Sequence, residues 1–545
     1  MNGAQAVLRT AERLGSTVCF TNPGTTELDF IAAFDAVPGV RPVLGLQENV
    51  CTGAADGWAR ITGRVGLTLL HLGAGLGNGL ANLHNARRAH TPIVNLVGDH
   101  PTWHLLFDPP LASDLAGLAK AGTRLAVVSS VFADASASFL HAWDAAHRVA
   151  GPVTLIVPAD DAERPGAEPA MPEWDPPDPA GPDASSVLYS MRRARWPAVL
   201  LGGSVLRGDG LVLAQRLARA VGADVWFEPF PSVLESGRGV PAFSRLPADF
   251  HGSRAALQAN DCLFLVGTED PVAFFNDAPG QSLARRPEVP AIQVCSAAHS
   301  ARQVEQLVSL LPDSITPVWQ HRAPDASAHE RTGEAGKQIT PELLAWVLVQ
   351  ELPEDTIVVD ESNTAGLPFR QISQCAAPHL QLGSTAGVLG FGMPASIGAA
   401  LGDPARRVLN LESDGSAAYT CQALWTQARE RLPVTTLILC NGGYRTVRDS
   451  WRRRGGADWS VAAKALMDLD TPQIDWVAVS AGFGVDAIEV TTTHTLRTAL
   501  RESFAFDGPR VIAVNIAPRS VIGATPSDGR AGSRTPGVPR TQRGA

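Results

Sequence analysis

Two oxygen-bearing side chains follow two neighbouring apolar runs in the last third of the chain. Asp414 comes shortly after the run 408–411, and Asn441 comes directly after the run 434–440, 27 residues beyond Asp414. Because a strand–helix–strand crossover brings both following loops to the carboxyl edge of a parallel sheet, we expect the two side chains to face one crevice. A carboxylate, an amide oxygen and the carbonyl of Gly443 suit Mg²⁺, which completes its shell with phosphate oxygens and water. The pattern predicts a magnesium and diphosphate site, with an ordinary strand–helix–strand unit as the alternative.

A glutamate stands at a second junction between a strand and a helix, near the start of the chain. The run 41–46 is typical of a strand, residues 50–61 have the period of a helix, and Glu48 lies between them. The junction places this carboxylate at a sheet edge, where an apolar cleft would disfavour its ionised form. Glu48 is therefore a candidate for sharing a proton, with stabilisation of the helix dipole as the alternative.

The third feature is a glycine-rich segment at residues 384–400, in which Gly387, Gly390 and Gly392 surround Leu389. Glycines let the backbone approach a ligand closely. The alternative is a strand-to-helix turn that packs on its own.

Parallel strands must position these features. Short apolar runs alternate with helix-length amphipathic segments along the chain, which is typical of an α/β fold with parallel sheets between helices. Strands are predicted over 41–46, 65–71, 92–97, 198–203, 262–266, 356–359, 408–411, 434–440 and 510–516, and helices over 50–61 and 211–220.

The chain divides into three similar α/β blocks. Seven prolines between 165 and 182 predict a linker over 165–185, and a polar stretch predicts a second linker over 321–337. A helix N-cap follows the second linker, with Thr340 as the cap and Pro341 in the first helical position. The predicted domains are 1–164, 186–320 and 338–518, each a doubly wound parallel sheet, followed by a tail over 519–545 that we expect to be mobile.

Composition excludes several classes of protein. Lys and Arg number 45 against 54 Asp and Glu, and the net charge of −9 argues against a nucleic-acid partner. No stretch has the ~18 apolar residues of a membrane span, and the first ten residues lack the design of a signal peptide. The seven cysteines include no C-x-x-C pair, which argues against a zinc or disulfide scaffold and favours a reducing compartment. We therefore expect a cytoplasmic protein.

Together the motifs resemble those of thiamine-diphosphate-dependent enzymes. The span from Asp414-Gly415 to Asn441-Gly442 resembles the family motif that runs from GDG to an Asn, although Ser413 replaces the first Gly and Cys440 stands where many relatives have another Asn. Residues 44–60 resemble the segment that presents the family's glutamate, and residues 384–400 resemble the segment under the cofactor. The likeness extends from residue 4 to about 517 and is greatest to acetolactate-synthase-like proteins, benzoylformate decarboxylase and benzaldehyde lyase.

The resemblance implies pyrimidine-binding, central and diphosphate-binding domains, in that order. It also implies that Glu48 shares a proton with the pyrimidine N1′ of the cofactor and that Leu389 separates the two cofactor rings. The other implied cofactor contacts are Gly387, Asp414, Gly415, Ser416 and Asn441, and the implied metal ligands are Asp414, Asn441 and Gly443.

The resemblance also suggests a substrate pocket. Thr25 occupies the place of a hydroxyl that touches the substrate carboxylate, and His71 matches a histidine that transfers protons, with a structural histidine at a strand end as the alternative. A histidine of the middle domain is replaced by the region of Phe275 and Asn276, which puts identical substrate handling in doubt. Further candidates for the pocket are His100, His104 and Arg445; for Arg445, a solvated helix face is the alternative to binding a carboxylate or phosphate.

The implied reaction is decarboxylation of a 2-oxo acid, followed by carboligation to an aldehyde or ketone acceptor. The alternatives are simple decarboxylation, acyloin cleavage and a catalytically silent homologue. Thiamine diphosphate and Mg²⁺ are the implied cofactors, and Gly202-Gly203 after a strand is too weak a signal to indicate FAD. In relatives the cofactor lies between the first domain of one subunit and the third of another, so we expect a homodimer or homotetramer with intersubunit active sites.

Overall fold

Three parallel sheets flanked by helices make up the fold, as the sequence predicts. The computed structural model describes residues 1–129, 134–167, 182–275, 280–312, 338–456 and 458–517. These residues form two compact units. The first unit takes its described residues from 1–177 and 327–518, and the second takes them from 178–326. The first and third blocks of the sequence therefore belong to one unit.

The first sheet contains six parallel strands in the order β2-β1-β3-β4-β6-β5. The strands are β1 (Val18–Asn22), β2 (Arg41–Leu44), β3 (Gly66–His71), β4 (Ile93–Asp99), β5 (Leu125–Val128) and β6 (Pro152–Pro158). The helices around them are α1 (Gly3–Arg13), α2 (Leu28–Ala36), α3 (Glu48–Thr62), α4 (Leu72–Arg88), α5 (Thr102–Leu105), α6 (Leu115–Gly122), α7 (Ala135–Arg148) and α8 (Ala159–Glu163). β3, β4 and β6 are almost wholly buried, which explains their continuous apolar runs.

The second unit is built on a five-stranded sheet in the order β10-β8-β7-β11-β12. The strands of this unit are β7 (Pro197–Leu201), β8 (Asp224–Phe227), β9 (Val233–Ser236), β10 (Ser244–Arg245), β11 (Cys262–Val266) and β12 (Ala291–Cys295). Its helices are α9 (Ala184–Arg193), α10 (Asp209–Val221), α11 (Phe250–Ala256) and α12 (Ser300–Ser309).

The third sheet contains six strands from the last third of the chain, in the order β17-β18-β16-β15-β13-β14. They are β13 (Thr356–Glu361), β14 (His379–Gly383), β15 (Val408–Ser413), β16 (Val434–Cys440), β17 (Asp486–Val490) and β18 (Arg510–Asn515). The helices are α13 (Pro341–Glu351), α14 (Leu367–Ile372), α15 (Gly392–Gly402), α16 (Asp414–Thr420), α17 (Ala423–Glu430), α18 (Arg445–Arg453), α19 (Val461–Ala465), α20 (Trp476–Gly482) and α21 (Thr493–Ala505).

The predicted elements agree with the observed ones to within a few residues. Two strands, β11 and β16, have the predicted bounds, and helix α13 begins as predicted, with Thr340 as its N-cap. Helix α9 begins at Ala184, two residues inside the predicted linker 165–185. The rest of that linker from 168 to 181, the linker 321–337 and the tail 519–545 lie outside the described residues, and the domain boundaries stay predictions. None of the described helices combines the length and hydropathy needed to cross a membrane.

A half-buried glutamate lies at the carboxyl edge of the second sheet. Glu228 follows β8 and accepts a hydrogen bond of 3.0 Å from the Thr268 hydroxyl. Burial raises the pKa of Glu228 to about 7, and the hydrogen bonds from Thr268 and from the Gly203 backbone only partly oppose this shift. The folded protein therefore binds this proton more tightly than the unfolded chain does.

This shift predicts a pH-dependent stability. The contribution of protonated Glu228 is complete below the usual pKa of about 4.5 and is lost as the pH rises through about 7. Glu228→Gln, which cannot ionise, should therefore show a smaller fall in Tm between pH 5 and pH 8 than the wild type. Differential scanning calorimetry across this range measures it. Glu305→Gln, on the exposed side of α12, is the control and should keep the wild-type profile; an E228Q profile parallel to that of the wild type would contradict the prediction.

Candidate active site

The carboxylate of Asp414 organises the loops after β15 and β16. These strands are parallel neighbours, so Asp414 and Asn441 meet at one edge of the sheet, as predicted. One carboxylate oxygen of Asp414 accepts the backbone N–H groups of Asn441 and Gly442 at 3.0 and 2.9 Å, and the other accepts that of Gly415 at 2.9 Å. Burial raises the pKa of Asp414, whereas these three donors lower it. The carboxylate is thus fixed in orientation.

The other two predicted metal ligands lie in the same turn. The side-chain oxygen of Asn441 accepts the N–H of Gly443 at 3.1 Å, and the carbonyl of Gly443 accepts the N–H of Arg445 at 2.9 Å. Gly442 between them has φ +69°, a left-handed conformation that favours glycine. Each of these oxygens retains a second lone pair for a cation.

A cavity of about 40 Å³ adjoins this turn. A single water needs roughly 10–15 Å³, so the cavity has room for about three waters, or for an ion with part of its water shell. It is lined by Asp414, Cys440, Gly442, Leu469, Gln473, Ile474 and Trp476. One fixed carboxylate among uncharged oxygen donors fits Mg²⁺, which shares its shell with phosphate oxygens and water.

Asn363 is a residue at this edge that the sequence analysis missed. It follows β13 and donates its side-chain amide to the hydroxyls of Ser413 and Ser416 at 2.8 and 3.0 Å, and these two hydroxyls are 2.7 Å apart. Its φ of +49° is left-handed, which Asn tolerates better than most residues. The signal for Asn363 in the sequence was its position just after β13, the strand that neighbours β15.

The glycine-rich segment ends in backbone groups that bind one carboxylate. Glu361, at the end of β13, accepts the N–H groups of Gly390, Phe391 and Gly392 at 2.8, 2.7 and 2.6 Å. Leu389 directly before them is half-buried, and Gly387 is exposed with φ +69°. The segment is therefore tied to the third sheet directly after Leu389.

A second carboxylate lies beside Glu361. Glu412 is its partner across β13 and β15, and both side chains are buried and hydrogen-bonded to each other. Burial raises the pKa of Glu361 to about 7, and burial together with the charge of Glu361 raises the pKa of Glu412. Two buried carboxylates this close share a proton near neutral pH.

The helix that carries Glu48 contacts the glycine-rich segment through Asn82. The side-chain amide of Asn82 donates to the carbonyls of Asn49 and Gly390 at 2.9 and 3.0 Å. The carbonyl of Gly390 also lies 3.3 Å from the hydroxyl of Thr420, at the end of the helix that Asp414 begins. The segments of Glu48, Leu389 and Asp414 are thus linked through one peptide group.

These links lie within a single chain. The structure joins the glutamate helix to the glycine-rich segment of the same chain, and it does not test the expectation that the first domain of one subunit and the third domain of another complete the site. The oligomeric assembly and an intersubunit site stay predictions.

Glu48 is the first residue of α3 and is partly exposed. Its carboxylate accepts a hydrogen bond of 3.0 Å from the side-chain amide of Asn78, another residue that the sequence analysis missed. Asn78 lies on α4, the helix that begins directly after His71. It therefore connects Glu48 to the element next to His71, the other predicted catalytic residue. The free face of Glu48 can still meet a ligand.

His71, at the end of β3, contacts a buried glutamate. Its Nδ1 lies 2.8 Å from the carboxylate of Glu27 and 3.2 Å from the hydroxyl of Thr26. A Cβ on Gly24 would lie 2.3 Å from this imidazole, so the turn accepts only glycine there. The sequence analysis singled out Thr25, which is exposed in the same turn, and missed Glu27. Glu27 orients the imidazole; proton transfer by His71 stays a prediction.

The remaining pocket candidates are less closely tied to this site. His100 packs edge-on against His104 with 5.4 Å between ring centroids, and its Nε2 is buried without a hydrogen-bond partner among the described residues. Arg445 pairs with Asp449 on α18 at 3.3 Å. Phe275 belongs to the second unit, and Asn276 lies outside the described residues. Their roles in a substrate pocket stay predictions.

The chain matches two family models. The model described as "Thiamine pyrophosphate enzyme, N-terminal TPP binding domain" matches residues 1–148. The model described as "Thiamine pyrophosphate enzyme, C-terminal TPP binding domain" matches residues 366–514. These ranges contain the segments of Glu48 and Asp414, respectively; thiamine pyrophosphate is another name for thiamine diphosphate.

Similar proteins extend over nearly the whole chain. A Mycobacterium tuberculosis protein named "Putative acetolactate synthase large subunit IlvX" is 42% identical, over 94% of this chain and 99% of its own. Benzoylformate decarboxylase of Pseudomonas aeruginosa is 31% identical, over 92% and 96%. The solved structure of a thiamine diphosphate-dependent 4-hydroxybenzoylformate decarboxylase of Rhodococcus jostii RHA1 superposes with a TM-score of 0.79 at 25% identity, over 95% and 99%.

The bridge made by Asn82 predicts a loss of stability when it is removed. Asn82→Ala removes two buried hydrogen bonds, to the carbonyls of Asn49 and Gly390, and at about 0.5–1.5 kcal/mol for each bond their loss costs about 1–3 kcal/mol. The free energy of unfolding, measured by urea titration, should fall by that amount. Gln371→Ala, at an exposed position on α14, should change it little. Equal stability of both variants would show that the bridge contributes nothing.

Proposed function

Because the chain belongs to the thiamine pyrophosphate enzyme family, we propose that it binds thiamine diphosphate with Mg²⁺ and decarboxylates a 2-oxo acid, joining the acyl fragment to a second carbonyl compound. The observation that carries this proposal is the carboxylate of Asp414, fixed at the sheet edge beside Asn441 and linked through Gly390 to the helix of Glu48. When bound, thiamine diphosphate supplies a carbon nucleophile and accepts the electrons released as CO₂ leaves.

The residues of this chain have separate tasks in the proposal. Asp414 and Asn441 hold the metal, together with the Gly443 carbonyl, and so anchor the diphosphate. Glu48 holds a proton at the pyrimidine N1′, and the Asn78 amide keeps its carboxylate in place. Leu389 keeps the two cofactor rings apart, at the end of a segment that Glu361 fixes.

The substrate side of the proposal rests on the loop after β1. Thr25 receives the substrate carboxylate, and His71 moves the proton at the reacting carbon, oriented by Glu27. The acceptor is an aldehyde or a ketone. Carboligation is favoured by the 42% identity over nearly the full chain to the relative named for acetolactate synthase.

Simple decarboxylation is the second candidate. A histidine held by a buried glutamate can deliver a proton to the reacting carbon, which releases an aldehyde instead of a ligated product. Two of the similar proteins carry the name of benzoylformate or 4-hydroxybenzoylformate decarboxylase.

A substrate panel separates the candidates. Purified protein with Mg²⁺ and thiamine diphosphate is given aliphatic and aromatic 2-oxo acids, with and without an added aldehyde, and CO₂ and the organic products are measured. Carboligation predicts CO₂ together with a hydroxyketone or 2-hydroxy-2-alkyl-3-oxo acid. Aldehyde as the sole organic product would establish decarboxylation instead, and no CO₂ from any acid would contradict both.

The role of Glu48 gives a sharper prediction. Glu48→Gln keeps the size of the side chain but cannot exchange a proton, so kcat should fall by about 100-fold or more while the Kd of thiamine diphosphate changes little. Steady-state kinetics and isothermal titration calorimetry measure the two quantities. Glu163→Gln, at an exposed glutamate of the same block, should retain full activity. Wild-type kcat in E48Q would refute the assigned role.

The role of Asp414 predicts the opposite pattern. Asp414→Ala removes a metal ligand and the acceptor for three backbone N–H groups, so the Kd of thiamine diphosphate in the presence of Mg²⁺ should rise by about 10-fold or more. Calorimetric titrations with and without Mg²⁺ test it, with the exposed Asp507→Ala as the control. Unchanged affinity, or affinity that is independent of Mg²⁺ in the wild type, would rule out the metal assignment.

A further inference from the structure

Three consecutive backbone N–H groups converge on one buried side chain. The carboxylate of Glu361 accepts from Gly390 with one oxygen and from Phe391 and Gly392 with the other, at 2.6–2.8 Å. Glu361 is 2% exposed. Three short hydrogen bonds to one buried carboxylate hold the backbone of residues 390–392 firmly.

The carbonyl group of Gly390 is also hydrogen-bonded. The carbonyl of Gly390 accepts from the side chains of Asn82 and Thr420, at 3.0 and 3.3 Å. Both polar groups of Gly390 are therefore bound, and its φ of +86° sets the direction in which the preceding residues leave. Leu389 directly precedes Gly390, so its backbone position is set by these hydrogen bonds.

An ordinary capping role does not account for the whole arrangement. Helix α15 begins at Gly392, and its N-cap Phe391 has no side-chain hydrogen bond to the helix, so Glu361 does supply an acceptor at this terminus. The bond to Gly390, however, lies outside the helix, two residues before its first residue. This hydrogen bond fixes the position of the backbone next to Leu389.

We propose that Glu361 is a positioning residue, whose carboxylate fixes the backbone of residues 387–390 against the two rings of thiamine diphosphate. The inference rests on the proposed function, because it concerns the same cofactor. Misplacement of a reacting group by about 1 Å costs on the order of 100-fold in rate, so a small shift of this backbone has a large effect. The diphosphate anchor at Asp414 is formed by other groups and is not altered by this shift.

The substitution Glu361→Gln tests this role. Glutamine has the same shape but only one accepting oxygen, so at least one of the three N–H groups must face an amide NH₂ group. We expect the exchange of the C2 hydrogen of bound thiamine diphosphate for deuterium, followed by NMR, to slow by about 10-fold or more. The Kd of the cofactor should change by less than about 3-fold, unlike that of Asp414→Ala.

A second readout does not depend on the cofactor. Amide hydrogen exchange of the apoprotein, followed by mass spectrometry of peptides that contain residues 384–392, should be faster in E361Q than in the wild type. Glu354→Gln, at an exposed glutamate just before β13, should match the wild type in both measurements. If wild-type protein binds no thiamine diphosphate, the proposed function fails, while amide exchange still tests the hydrogen bonds to Glu361.

Two results would overturn the inference. One is unchanged C2 exchange in E361Q at full cofactor occupancy, and the other is a rise in Kd that accounts for the whole loss of exchange. If E361Q does not fold, Glu361→Asp, which keeps the charge but shortens the side chain, takes its place. Failure of both variants to fold would show that Glu361 serves folding and not positioning.

Discussion

The backbone of Gly390 makes the hydrogen bonds on which the rest of the site depends. Its N–H binds Glu361 on the third sheet, and its carbonyl binds Asn82 on α4 and Thr420 on α16. Its φ of +86° suits glycine, and a Cβ there would lie 2.9 Å from atoms of Tyr419 and Thr420. One residue thus contacts two helices, α4 and the helix that Asp414 begins.

Close contact between α3 and α15 stabilises the region around Gly390. A Cβ on Gly57 would lie 2.2 Å from the carbonyl oxygen of Ala395, and a Cβ on Gly398 would lie 1.9 Å from that of Ala54. The helices therefore touch backbone to backbone, and a single added methyl group would push them apart. Such a shift would separate Glu48 from the glycine-rich segment, so these glycines are required by packing as well as by any ligand.

The sequence predicted the sheets well because strands buried on both faces appear as apolar runs between turn residues; β11 and β16 have the expected bounds. The sequence could not predict the hydrogen bonds that hold the backbone of Gly390. Glu361 and Asn82 bind Gly390 from 29 and 308 residues away, and neither belongs to a periodic pattern. Nor did periodicity indicate that the first and third blocks form one unit, because it reports which face of an element is buried and not which block buries it.

The carboxylates of the site differ in burial in a way that matches their partners. Those that bind backbone N–H groups, Asp414 and Glu361, are buried, since several fixed donors offset the cost of removing charge from water. Glu48 has one side-chain amide as its partner and stays partly exposed. A carboxylate enclosed by fixed donors holds the backbone in place and, as proposed for Asp414, offers only its remaining lone pairs to a ligand, whereas a carboxylate with an exposed face can exchange a proton with a bound molecule. The partial exposure of Glu48 therefore leaves its carboxylate available for proton exchange with a bound molecule.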